Sequence, residues 1–207
     1  MSYILAVHVP IAGLALLPVL LGWPTVLFPL HIAFLELVID PACSMVFENE
    51  PSESDVMKRP PRDASAPLFA GTTLALALLQ GLGVLAVVLA GYAWSTTWLA
   101  EPAARAFAFS TLVIGNVALI FSNRTGSATL WASLRVPNRT LWSVAGVTLG
   151  LLALTLYVPW LSKLFFFAPL AAADLLTAAG LGLLSALWFE AIKLARRWSS
   201  RSGKKMV

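Results

Sequence analysis

Six apolar stretches, about residues 3–21, 27–47, 67–92, 106–121, 141–160 and 170–194, take up most of this 207-residue sequence. Each is close to or above the roughly 18 residues that a helix needs to cross the hydrocarbon core of a bilayer. Runs of this length predict an all-α, polytopic membrane bundle of six transmembrane helices, with the whole of residues 1–207 as one transmembrane domain. Composition agrees, with 59% hydrophobic residues, 12% charged residues and a mean hydropathy of +0.83. A net charge of +4 and a pI near 9.6 would also fit a nucleic-acid binder. Here, however, the basic residues sit between and after the spans, where they read as topology signals and not as a nucleic-acid surface. Residues 48–66 hold three Lys/Arg, residues 122–139 three and residues 193–207 six, twelve of the fourteen in the chain. Arg105 and Lys163 alone fall on the other side, so the positive-inside rule makes 48–66, 122–139 and both termini cytosolic, and the expected location is the plasma (inner) membrane.

The second stretch carries the chemistry. Glu36 and Asp40 lie four residues apart on one face of a helix inside an apolar run. A carboxylate at the middle of a bilayer costs roughly 2.5–3.5 kcal/mol on insertion scales, so two of them mark a site. Like charges that close need a cation or a proton between them. Pro41 follows directly and cannot donate to the carbonyl of Leu37, which leaves a backbone acceptor one turn from both acids. In the first stretch Pro10 frees the carbonyl of Ala6 in the same way, two residues from the polar His8. Carboxylate oxygens with freed carbonyls are the ligands a hard cation takes.

These residues resemble a known family. Glu36-Leu37-Val38-Ile39-Asp40-Pro41, then Glu50-Pro51, Asp55-Val56-Met57 and Arg59-Pro60-Pro61-Arg62, are similar to the sixth membrane helix and the following loop of cation-transporting P-type ATPases of the calcium-pump kind. The family pattern there is Asn-Leu-Val-Thr-Asp-Gly, followed by Asn-Pro-Pro or Glu-Pro-Pro, Asp-x-Met and Arg-Pro-Pro-Arg. A weaker likeness in order and hydropathy runs through the chain, which would correspond to the family's fifth to tenth membrane helices, with Met1 matching an internal methionine of a longer pump. The resemblance implies Glu36 and Asp40 as anionic cation ligands, with carbonyls near Pro41 and Pro10. It also places a cation-binding side chain on the fourth stretch, where Asn116 is the nearest polar residue. His8 stands at a family asparagine, Ile11 at a family glutamate, Ile39 at the threonine and Glu36 at the asparagine. The implied partner is a transported cation, a divalent metal or a proton, together with lipid and the pump's N-terminal and cytosolic domains.

No Asp-Lys-Thr-Gly, no Gly-x-x-x-x-Gly-Lys-[Ser/Thr] and no polar region of nucleotide-domain length occurs in the sequence. The chain by itself is therefore expected to need no cofactor and to hydrolyse no ATP; Mg-ATP is implied for the full-length pump. The competing reading is a stand-alone, non-catalytic membrane protein, a remnant or a regulatory subunit. A secondary transporter would show an internal repeat, and none is visible between the two halves. No basic residue precedes the first apolar run, so no cleaved signal peptide is expected. The lone Cys43 reads as a filler within a span. His31 reads as an interfacial histidine, residues 93–105 as a loop edged by Trp94 and Trp98, and residues 161–169 as a hydrophobic turn. Gly71, Gly81, Gly83 and Gly91 read as helix-packing contacts, Gln80 as a buried amide and Glu190 with Lys193 as an ion pair.

Overall fold

The computed structural model describes residues 2–41, 45–49, 71–123 and 138–203, and the side chains of all of these except 2, 40, 72, 73 and 192–203. Seven helices follow one another among the described residues. They are α1 (Ser2–Leu20), α2 (Pro29–Pro41), α3 (Gly71–Ser95), α4 (Glu101–Asn123), α5 (Arg139–Tyr157), α6 (Pro159–Leu164) and α7 (Ala172–Gly203). Five of them, α1, α3, α4, α5 and α7, are long and apolar enough to cross a membrane, whereas α2 offers a shorter apolar helix, Pro29–Ile39. The all-helical membrane bundle is as expected; of the six expected spans, five are long apolar helices among the described residues, and the second is represented by the shorter α2. The expected second span, 27–47, is interrupted for description at 42–44, and a helical turn occupies 45–48. Most of the expected loops 48–66 and 122–139 lies outside the described residues.

Helix ends follow from the residues at them. Gly22 adopts φ 69° after α1. The Trp23 N–H then reaches the Pro18 carbonyl at 2.8 Å and the Gly22 N–H the Val19 carbonyl at 3.2 Å, the paired bonds of a Schellman cap. Phe28 precedes Pro29, a residue suited to the first helical position because its missing N–H is not needed there. Glu101 and Pro102 open α4 with an acid in the first turn, so residues 101–105 are helical and not the loop end that the sequence predicts. At the start of α5 the Asn138 side chain accepts the Leu141 N–H at 3.0 Å. Its own amide points to the Val46 carbonyl at 3.4 Å. Part of the segment expected as a turn, 161–169, is instead the short helix α6, which ends in a second Schellman pair: Phe166 N–H to the Lys163 carbonyl and Phe167 N–H to the Ser162 carbonyl. Phe166 takes the left-handed position there, with φ 52°.

α4 is the central helix, with 89% of its span buried against 28–39% for the other four spans. It packs most extensively on α7, and also on α3, α1 and α5, while α1 lies along α3. The α4–α7 contact is close because both sides are small. A Cβ at Gly182 would sit 2.8 Å from the Thr111 carbonyl, and one at Gly115 would sit 2.9 Å from the Ser185 hydroxyl. Gly81, Gly83 and Gly91 also meet neighbouring helices, as expected, but Gly71 meets nothing and is no packing contact. Leucines such as Leu82, Leu149, Leu176 and Leu184 point outward and are exposed, as an apolar surface within a membrane allows.

Three connections share one end of the bundle. Arg105 on α4 donates to the Thr25 carbonyl at 3.0 Å and the Phe166 carbonyl at 2.9 Å, and pairs with Glu101 one turn before it. The Ala168 N–H reaches the Pro102 carbonyl at 3.3 Å. The connections before α2, before α4 and before α7 are therefore fastened to one another through a buried arginine. Near the other end of α4 the Ser122 hydroxyl donates to Glu190 on α7 at 2.6 Å, and Asn123 donates to Gln80 on α3 at 3.1 Å. Gln80 is buried, as expected. For Glu190 the structure shows this bond to α4; the side chain of Lys193, its expected partner, lies outside the described ones.

Candidate functional site

The residues singled out in the first two stretches meet across α1 and α2. His8 Nε2 lies 3.6 Å from Glu36 Oε1, beyond a hydrogen bond but within ion-pair range. Nδ1 of His8 lies 2.7 Å from the Ile4 carbonyl, which can only accept, so that nitrogen carries its hydrogen. Nε2 then faces the Glu36 carboxyl either with a lone pair or with a second hydrogen. Across this gap the two side chains form an ion pair when the ring carries both hydrogens.

Both side chains are half exposed, His8 48% and Glu36 43%. Glu36 therefore faces an open side of the bundle that the described residues form. His8 lies on a stripe of α1 with Ile4, Ala12 and Leu16, one turn apart, that is exposed among the described residues.

Pro10 is buried on the inner side of α1. The carbonyl it frees, that of Ala6, lies against α3: a Cβ at Gly81 would come within 2.7 Å of it. Gly81 thus admits α3 to a stretch of backbone that lacks its helical donor. Asp40 closes the last turn of α2 one turn after Glu36, ahead of Pro41; its side chain lies outside the described ones. Asn116 sits midway along α4, 1% exposed, and among the described residues neither Oδ1 nor Nδ2 has a hydrogen-bond partner. A buried amide left unpaired costs on the order of 1–3 kcal/mol at each end, so this one is held at a price in stability. Among the described residues no three His, Cys, Asp or Glu side chains come together as a metal site. The structure thus joins His8 with Glu36, keeps Pro10 and Asp40 on the same two helices, and leaves Asn116 apart on α4.

His31, read from sequence as interfacial, is fully buried. Its Nδ1 accepts the Phe28 N–H at 2.9 Å, and its Nε2 lies 2.8 Å from the Phe165 carbonyl, to which it must donate. The first of these bonds is a reach-back from the third helical position to the residue before the helix, the job Glu or Gln does in a capping box. The ring stacks on Phe167 at 5.0 Å and lies within 5.1–5.8 Å of Phe28, Phe109 and Phe165. The spacing Phe28-Pro29-x-His31 carried a signal for this cap; nothing in sequence pointed to Phe165. His31 is a structural clamp, and α2 is held by it at the end opposite Asp40.

Comparison with known proteins gives these helices a family. The family model described as "Cation transporting ATPase, C-terminus" matches residues 24–195. A calcium-transporting ATPase of Listeria monocytogenes is 26% identical over 183 residues, covering 87% of this chain and 20% of that protein. A calcium-transporting ATPase of Lactococcus lactis is 26% identical over 175 residues, covering 83% and 20%. A calcium-transporting ATPase type 2C member 2 of the rat is 28% identical over 187 residues, covering 86% and 19%. The chain spans about a fifth of the length of the curated relatives it matches. With the family model matching most of the chain and these relatives aligned along it, this chain belongs to the family of cation-transporting ATPase C-terminal regions, as the C-terminal transmembrane part of a P-type ATPase of the calcium-pump kind.

Proposed function

We propose that this chain is the ion-binding transmembrane part of an ATP-driven cation pump, with Glu36 and Asp40 as anionic ligands on α2 and His8 as the proton partner of Glu36 on α1. The observation that carries this reading is the 3.6 Å approach of His8 to Glu36, between a helix with Pro10 inside it and one that ends at Pro41. Pro41, at the end of α2, leaves the Leu37 carbonyl without a helical donor as a further oxygen beside the two acids. The transported ion is a divalent cation, calcium by the names of the relatives, entering as a proton leaves the His8–Glu36 pair. Mg-ATP hydrolysis belongs to a phosphorylation and nucleotide domain whose motifs this sequence does not contain. The uncovered α1 stripe bearing His8 is where the pump's remaining membrane helices would pack and enclose the site. The bias of basic residues supports cytosolic termini and a plasma (inner) membrane location.

The test is a cation titration of phosphoenzyme formation, at several pH values, in a pump carrying this chain as its C-terminal region. In the wild type the apparent affinity rises with pH, because the shared proton must leave before the cation can take the carboxylate. Glu36→Gln and His8→Gln are each expected to flatten that pH slope, and Glu36→Gln to weaken affinity by roughly tenfold as a charged ligand is lost. Unchanged affinity and an unchanged slope in Glu36→Gln would make Glu36 structural.

A further inference from the structure

The chain has two histidines, and their ring nitrogens are used differently. His31 bonds the Phe28 N–H through Nδ1 and the Phe165 carbonyl through Nε2, so both are engaged. His8 engages Nδ1 alone, on the Ile4 carbonyl at 2.7 Å. That bond holds the ring on α1 and leaves Nε2 facing Glu36 Oε1, 3.6 Å away. Histidines that ligate a metal are held in the same way, with the other ring nitrogen donating to a carbonyl or a carboxylate. The spacing also fits, since two adjacent ligands at roughly 2.0–2.2 Å from one ion stand about 2.8–3.8 Å apart. Both side chains are half exposed, which leaves room for water or further ligands on an ion between them. Asp40 follows Glu36 by one turn of α2, and Pro41 leaves the Leu37 carbonyl without its helical donor.

We infer that this site takes a divalent first-row transition metal, of the zinc and cobalt kind, in preference to calcium, with His8 Nε2 as one of its ligands. The inference rests on the pump reading for the ion as cargo and names the class of ion. The relatives are named for calcium, an ion that takes roughly six to eight oxygen ligands. Here Glu36 and Asp40 offer two oxygens each and the Leu37 carbonyl one, which falls short of that number. Val7, Ile11, Leu35 and Ile39, their buried neighbours on the two helices, offer none. An imidazole nitrogen adds little for a hard ion, whereas imidazole suits zinc, iron and nickel. One imidazole nitrogen, one oxygen from each of two carboxylates and one water complete a tetrahedral shell. The Nε2 lone pair forms the bond to the metal, and any hydrogen on that nitrogen leaves to water. Nδ1 keeps its own hydrogen on the Ile4 carbonyl.

The test is a titration of the untagged 207-residue chain, in phosphatidylcholine nanodiscs at neutral pH, with cobalt(II), zinc and calcium. Cobalt(II) is the paramagnetic stand-in for zinc. A ligating His8 is expected to give one exchangeable proton resonance far outside the diamagnetic range, from its Nδ1–H; His31 gives none, because both its nitrogens are engaged. Zinc is expected to displace cobalt, and both to bind at least roughly tenfold more tightly than calcium. His8→Asn puts an oxygen in place of the nitrogen. It is expected to remove the shifted resonance and to cut the preference for cobalt over calcium by roughly tenfold or more, with the thermal midpoint showing that the half-exposed position tolerates the change. Calcium binding as tightly as cobalt or zinc overturns the proposal. So does cobalt binding without a shifted resonance, or a resonance that survives in His8→Asn. Phosphoenzyme formation in a pump carrying this chain separates this inference from the pump reading. Phosphorylation that responds to calcium at lower concentrations than to zinc or cobalt overturns the inference and leaves the pump reading standing. The His8 resonance without any cation-dependent phosphorylation leaves the metal preference standing and overturns the pump reading.

Discussion

His31 shows how much one side chain does when both ring nitrogens are used. Its Nδ1 bond to the Phe28 N–H starts α2, and its Nε2 bond to the Phe165 carbonyl ties α2 to the connection before α7. Replacing His31 with Phe keeps a ring among Phe28, Phe109 and Phe167 and removes only the two bonds. The buried N–H and C=O left behind are expected to cost about 2–4 kcal/mol together. Thermal unfolding in micelles measures the loss, and faster hydrogen exchange at the Phe28 amide locates it; a variant as stable as the wild type would show that packing alone holds this end. Sequence could show that His31 lies near the start of a helix, but a bond to a residue 134 positions away leaves no local pattern. Arg105 is a similar case. Its partner Glu101 stands four residues before it, but the pair shows only once 101–105 are helical, and nothing local pointed to Thr25 or Phe166. Asn116 was legible as a polar residue within a span, but not as one with both amide ends unpaired.

Among the elements, α4 carries the bundle, and its contact with α7 depends on the absence of side chains at Gly115 and Gly182. At Gly182 the nearest atom to an added Cβ would be a backbone oxygen, Thr111 O at 2.8 Å, which cannot swing aside. Gly182→Ala is therefore expected to push the two helices apart and to destabilise the chain by about 1–3 kcal/mol. Gly146→Ala on α5, where a Cβ meets nothing within 4 Å, is the control and is expected to be neutral or slightly stabilising through helix propensity. Equal midpoints of thermal unfolding for the two variants would contradict this packing. The spans themselves were legible because twenty apolar residues in a row admit few structures. Their ends were less so: Glu101-Pro102 begins a helix by its acid and its proline, a signal that the loop-like tryptophans before it obscured. Which helix is central could not be read at all, since in lipid a buried face and an exposed face are both apolar.

For the whole molecule, the charge bias and the apolar runs led to the arrangement of connections at two ends, and the motif after Glu36 led to the family that the comparisons show. The candidate site was legible in its acids and prolines, which are conspicuous in an apolar helix. Its exposure was not. His8 and Glu36 meet on a face that the described helices leave open, and the chain spans about a fifth of the length of its relatives. On this account Asp40 is the ligand that the site cannot lose, because it matches the family's acid and lies one turn from Glu36 at the proline-ended tip of α2. The direct measurement is cation-dependent phosphoenzyme formation by a pump carrying this chain, wild type against Asp40→Asn. The account predicts that Asp40→Asn abolishes cation-dependent phosphorylation across the titration range, with the protein still folded in the membrane. An Asp40→Asn pump that is phosphorylated with the cation dependence of the wild type would contradict it.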